Sequence, residues 1–205
     1  MNGIISEIIT TLDYADEVSN ERDTYFRAFI GGKAIEEMDY FVDNDVPFSL
    51  LTKLGKDMQG ETHLDFITDE YGIDEDDILF SSAPSALSME GTLIIKSTAP
   101  SFIKKEEVIR FIDEKKINRI LISSLLLSFD PVRKEILEGL EKRKDKIERV
   151  VIDAEDATST IMIEDLYDSV KRLNCSIKEC YISGDILNIE GVKRVSSDMI
   201  KELFV

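Results

Sequence analysis

A chain of 205 residues suffices for one large domain or one domain with a small appendage, and 43% apolar residues with ten phenylalanines can fill a core. The formal charge of −17 argues against nucleic acid, whose recognition needs a basic footprint, and against a polybasic membrane contact. No apolar run approaches the roughly 18 residues of a membrane span.

The opening MNGIISEIITTLDY has no basic n-region and carries Glu7 inside its apolar stretch, so it does not read as a secretory signal. Gly3 to Leu12 reads as one buried strand, followed by a polar, acidic loop from Asp13 to Arg22. Thr24 to Ile30 is aromatic and β-prone, a second strand ending at Gly31-Gly32. From Lys33 to Asn44, apolar positions Ile35, Met38, Phe41 and Val42 have helical spacing. Phe48 to Leu54 follows Pro47 as a strand, and Gly55 to Gly60 is a turn opening a helix that ends on Gly72, a left-handed cap. Ile78 to Phe80 and Leu87 to Lys96 read as strands forming a hairpin. Beyond Pro100 the pattern is regular: helix 104–116, strand 119–128, helix 132–144, strand 149–153, helix 163–174, strand 177–183 and a closing helix 196–204 with Ser196 as N-cap.

This alternation predicts an α/β domain over residues 1–205, a doubly wound, mostly parallel sheet with helices on both faces and ligand sites at the carboxyl ends of the strands. The β-rich pieces that break it read as a small β-sheet lid, inserted at about 13–30 and 85–98. Two cysteines, Cys175 and Cys180, spaced C-x4-C, read as reduced thiols of a cytoplasmic protein rather than a disulfide framework or zinc site.

Three stretches, in this order and spacing, resemble the ribokinase/PfkB carbohydrate kinases. They are Gly31-Gly32 before a helix, LLTKLGKDMQG from Leu50 to Gly60 with its Gly-x-Asp-x-x-Gly, and the helix ending Gly72-Ile73-Asp74. SSLLLSFDP, Ser123 to Pro131, is a weaker echo, and the likeness fades after about Asp185. The resemblance implies a ribokinase-like fold and a sugar site. Gly31, Gly32, Glu36, Thr11 and Asp57 are its substrate-binding candidates, and ATP and magnesium enter only by family implication. It also implies a homodimer packed through the lid strands.

The sequence also departs from that pattern. In Gly-Glu-x-x-x-Asp the Glu is kept as Glu7, but Thr11 replaces the Asp. In Gly-Gly-x-x-x-Asn the Asn becomes Glu36, an acceptor only. Asp-Pro-Asn-x-Arg becomes Asp153-Ala154-Glu155-Asp156-Ala157, acidic where an Arg would meet phosphate. Of Asn-x-x-Glu, near Ile182 to Asp185, one Asp is left. The catalytic Gly-Ala-Gly-Asp, whose amides form an anion hole and whose Asp is the base, does not occur in these 205 residues. No catalytic residue is assigned, and the metal is left open.

Elsewhere, His63 reads as a surface helix residue rather than a base, and Asp74 to Asp77 as a solvated loop rather than a calcium site. The carboxylates of Asp153–Asp156 and of Ser183-Gly184-Asp185 follow strands and could hold a metal. There is no P-loop and no dinucleotide fingerprint. Three functions stay open. One is a degenerate sugar-kinase homologue, inactive alone, that binds a small polar, sugar-like ligand or a partner. The second is an active kinase completed by a partner chain or a longer gene product. The third is an unrelated α/β interaction protein, which would lack a lid hairpin.

Overall fold

The structure, a computed structural model, describes residues 1–14, 26–89, 92–154, 160–184 and 189–204. Its first strand, β1 (Asn2–Ile5), ends at Ser6, and β2 (Ile9–Tyr14) starts a different sheet. The run expected as one strand therefore bends at Ser6-Glu7-Ile8. Ile4 and Ile8 enter the core on one side of the main sheet, Ile5 and Ile9 the core on the other, so an unbroken apolar pattern conceals a change of sheet. Asp13 and Tyr14 continue β2 instead of opening a loop; residues 15–25, including Thr24 and Tyr25, lie outside the described residues.

β3 (Phe26–Gly31) leads into α1 (Lys33–Asp43), which buries Ala34, Ile35, Met38 and Phe41 along one stripe. The next apolar run is also divided, into β4 (Phe48–Leu51) and β5 (Lys53–Gly55), with Thr52 between them. α2 (Met58–Tyr71) starts on the Asp57 cap and ends on Gly72, whose φ of 65° is the left-handed closure expected there. A 3-10 turn over Glu75–Asp77 replaces the loop expected at the acidic run. β6 (Leu79–Ser81) then pairs in parallel with β5, so the hairpin lies within 86–94 alone, between β7 (Ala86–Met89) and β8 (Thr92–Ile94).

The regular part follows as α3 (Lys105–Glu114), β9 (Arg119–Ser123), α4 (Val132–Lys142), β10 (Arg149–Asp153), α5 (Thr160–Ser176), β11 (Glu179–Ser183) and β12 (Lys193–Val195). β9 is five residues rather than ten, because the chain turns at Ser124, and β12 is a strand the sequence pattern did not disclose. The closing segment is a short α6 (Ser197–Ile200) continued by a 3-10 turn.

The main sheet has the order β12-β11-β10-β9-β1-β4, parallel throughout. Its central strands are buried on both faces, so they read as continuous apolar runs. Ile120, Ile122, Val150 and Ile152 face Val108 and Ile112 of α3, Ile136 of α4 and Leu166 of α5. Leu121, Val151 and Tyr181 face α1, α2 and Phe204, whose ring lies 5.3 Å from that of Phe41. The lid is a four-stranded sheet of order β3-β2-β7-β8. Its two inner strands are parallel, Thr10 opposite Leu87 and Thr11 opposite Ser88, and its outer strands are antiparallel to them. This is the α/β fold with lid that the sequence predicts. No helix among the described residues is long and apolar enough to cross a membrane.

Candidate functional site

Parallel strands aim their carboxyl ends at one edge of a sheet, and ligands of such folds bind there. At this edge β1 runs on into Ser6 and Glu7, β9 into Ser124, β10 ends on Asp153 and β11 on Ser183. The last two residues are joined: the Ser183 hydroxyl donates to Asp153 Oδ1 at 2.8 Å and accepts from the Ala154 N–H at 3.0 Å. The other carboxylate oxygen, Oδ2, is 3.2 Å from Lys33 Nζ, and Lys33 in turn lies 2.8 Å from Glu36 Oε2. A lysine from the first turn of α1 thus lies against the end of β10, 120 residues along the chain.

Gly31 and Gly32, expected at the site, play different parts. Gly32 has φ 94°, and a Cβ there would lie 2.8 Å from the Glu7 carbonyl oxygen, so the turn itself demands glycine. A Cβ on Gly31 would meet only Thr11 Oγ1, at 3.9 Å. Gly31 and Thr11 are therefore neighbours with room beside them, where the lid meets α1. Gly32 offers α1 no side-chain cap. Glu7 supplies one from outside the helix: its carbonyl accepts from Ala34 N–H at 3.1 Å and its carboxylate from Lys33 N–H at 3.4 Å.

Glu36 is 67% exposed and its carboxylate pairs with Lys33. Asp57 lies elsewhere, at the start of α2. It accepts from Gly60 N–H at 2.8 Å, Ser85 N–H at 2.7 Å and the Ser85 hydroxyl at 2.7 Å. Partial burial opposes its charge, but these three donors hold the carboxyl below the usual carboxylate range. The tight Gly-x-Asp-x-x-Gly turn has a packing reason too: a Cβ on Gly60 would sit 2.0 Å from the Gly55 carbonyl oxygen. Of the five predicted substrate residues, Thr11, Gly31 and Gly32 are brought together, Glu36 stands at the rim, and Asp57 is engaged as a helix cap.

Sequence reasoning passed over Lys33 and Glu37. Glu37 is 4% exposed, and neither of its oxygens meets a protein donor in hydrogen-bond geometry. Burial, then the Asp153 and Glu7 charges, push its carboxyl well above the usual range, with Ser6 and Lys33 opposing. The signal was the i, i+4 spacing of Lys33 and Glu37 on the stripe of α1 that faces the sheet.

His63 corrects the sequence reading most sharply. It is 0% exposed rather than on the surface, because the lid strand β2 covers α2 there, and its Nε2 is 2.8 Å from Thr10 Oγ1. Burial pulls its pKa from 6.5 down to about 4, the Asp57 charge pulling weakly the other way.

The described residues do not make a phosphate or divalent-metal site. Asp153 is engaged with Ser183 and Lys33, and among the described residues no three His, Cys, Asp or Glu groups converge on a metal position. Glu155, Asp156, Ala157 and Asp185 lie outside the described residues. Cys175 is exposed and Cys180 buried, both free thiols; burial pushes Cys180 up to about 12.

This geometry, a parallel sheet with a β-sheet lid hinged beside its carboxyl edge, is the PfkB/ribokinase-type sugar-kinase fold. Solved structures agree. Fructokinase from Xylella fastidiosa with bound ATP matches at TM-score 0.69 and 16% identity, over 89% of this chain and 61% of that one. Aminoimidazole riboside kinase from Salmonella enterica, complexed with aminoimidazole riboside and an ATP analogue, matches at 0.64 and 15%, over 89% and 60%. A PfkB protein from Polaromonas sp. matches at 0.64 and 13%, over 89% and 64%. The chain thus spans about 60% of the length of these kinases. No family model and no curated protein matches the sequence.

Proposed function

We propose that this chain is a sugar-kinase-type scaffold that takes a small polar, sugar-like ligand in the crevice below its lid and does not phosphorylate it unaided. The observation that carries this reading is the Lys33–Asp153–Ser183 arrangement. The cation at the crevice floor is held by protein carboxylates instead of being left for a phosphate, and Glu36 adds a further anion. Phosphoryl transfer depends on positioned cations and donors around developing negative charge. An acidic floor opposes it, whereas hydroxyls can be met by Thr11 and by the open space at Gly31.

A second reading, an active kinase completed by residues outside these 205, is favoured by the share of about 60% that the chain covers in its structural neighbours. The two readings separate in a thermal-shift screen of neutral sugars, nucleosides and ATP–magnesium. At a hundred times its dissociation constant a ligand adds about 2.7 kcal/mol. The scaffold reading expects stabilisation by a sugar or polyol and none by ATP–magnesium. Stabilisation by ATP–magnesium supports the kinase, and no stabilisation by any sugar or nucleoside removes the ligand role.

We further propose that two copies pair through their lids. Met89 and Ile94 are exposed on the lid face opposite the one carrying Thr11, so a second copy can cover them without closing the crevice. Sedimentation of the wild type and of Ile94→Glu tests this: a dimer that the variant dissociates is expected, and a monomeric wild type refutes it.

A further inference from the structure

The chain enters and leaves the lid close to the first turns of α2, and the polar contacts there follow one plan. Thr10 and Thr11 are successive residues of β2 and so face opposite sides of the lid. Thr10 is turned toward α2, where its hydroxyl meets His63 Nε2 at 2.8 Å. Ser85 immediately precedes β7, the strand paired with β2, and gives both its N–H and its hydroxyl to Asp57. Its hydroxyl also accepts from Gly55 N–H at 3.1 Å, which ties the same point to β5. Gly60, His63 and Ile67 form the buried stripe of α2, so the helix cannot turn without breaking these contacts.

We propose that His63 and Asp57 are positioning residues: from the first two turns of α2 they clamp the two inner lid strands, β2 through Thr10 and β7 through Ser85, and so fix the strand that carries Thr11. The two clamps act on neighbouring strands of one sheet, and the outer strands β3 and β8 are held only through these inner ones and their own connections. Removing the Thr10 hydroxyl leaves a fully buried imidazole with no partner on either nitrogen, since Nδ1 already has none. The cost falls on the lid root and not on the main sheet. What Thr11 contacts rests on the function proposed above; the clamp itself does not.

Amide hydrogen exchange of the full chain tests the clamp without any ligand, so its outcome is independent of the binding screen. The comparison is between lid strands 9–14, 26–31, 86–89 and 92–94 and core strands 119–123 and 149–153. Thr10→Val and Ser85→Ala are each expected to speed lid exchange by about tenfold, leaving core exchange unchanged. Thr10→Ser, which keeps the hydroxyl, is expected to exchange like the wild type. Unchanged lid exchange in both variants, an equal rise in lid and core, or a Thr10→Ser variant as fast as Thr10→Val would overturn the proposal.

Discussion

Acidification should destabilise this protein through His63, by an amount set by where the imidazole sits. In either tautomer Nδ1 has no partner, so adding a proton places an unsatisfied N–H in the core. The unfolded chain takes up its proton near pH 6.5, whereas the folded protein resists until about 4. Above pH 6.5 both states are neutral and the group contributes nothing to the pH dependence. Between 6.5 and 4 the unfolded state binds more protons, so stability falls as pH falls. The full gap corresponds to about 3 kcal/mol at pH 4. For a domain of this size, at about 2–4 °C per kcal/mol, the melting temperature should drop by roughly 6–12 °C from this source. His63→Met removes the titration, and carboxylate contributions cancel in the difference between the two proteins. Thermal melts at constant ionic strength from pH 7 to pH 4 should therefore converge as pH falls, the wild type losing the larger amount. Parallel curves would refute the argument that this imidazole is buried and neutral.

Two further predictions concern groups of opposite behaviour and of geometry. Glu37 has a raised pKa, so its contribution is fully present below the unfolded value of 4.5 and is lost as pH rises through the folded value. Glu37→Gln should be more stable than the wild type at pH 8 and gain nothing at pH 4, as read by urea midpoints; equal midpoints at pH 8 would contradict the reading. Gly60→Ala forces a Cβ against a backbone oxygen that cannot move aside, and should cost roughly 1–3 kcal/mol. Gly72→Ala meets no atom within 4 Å and carries only the left-handed penalty, about 1 kcal/mol. Chemical denaturation showing the reverse order would count against the close β5–α2 approach.

The parallel sheet was legible because β9, β10 and β11 are buried on both faces and separated by helices of clear period. The first strand was not, because Ile4, Ile5, Ile8 and Ile9 are all buried and only the cores they enter differ. Thr52 divides β4 from β5 without any glycine or proline to mark the break. At the site, Gly31 and Thr11 came from a resemblance and are adjacent. Lys33 was missed because its partner Asp153 is distant in the chain, and His63 was misread because the strand that buries it lies 53 residues away. A local pattern cannot report such contacts; amphipathic period places a face, not what covers it.

The most direct test of the central claim is ADP formation by the purified 205-residue chain with ATP–magnesium and a panel of sugars and nucleosides. The account predicts no increase in ADP on adding any of them. Sugar-dependent ADP release, lost in a variant such as Thr11→Val, would contradict it and make the crevice that of a working kinase.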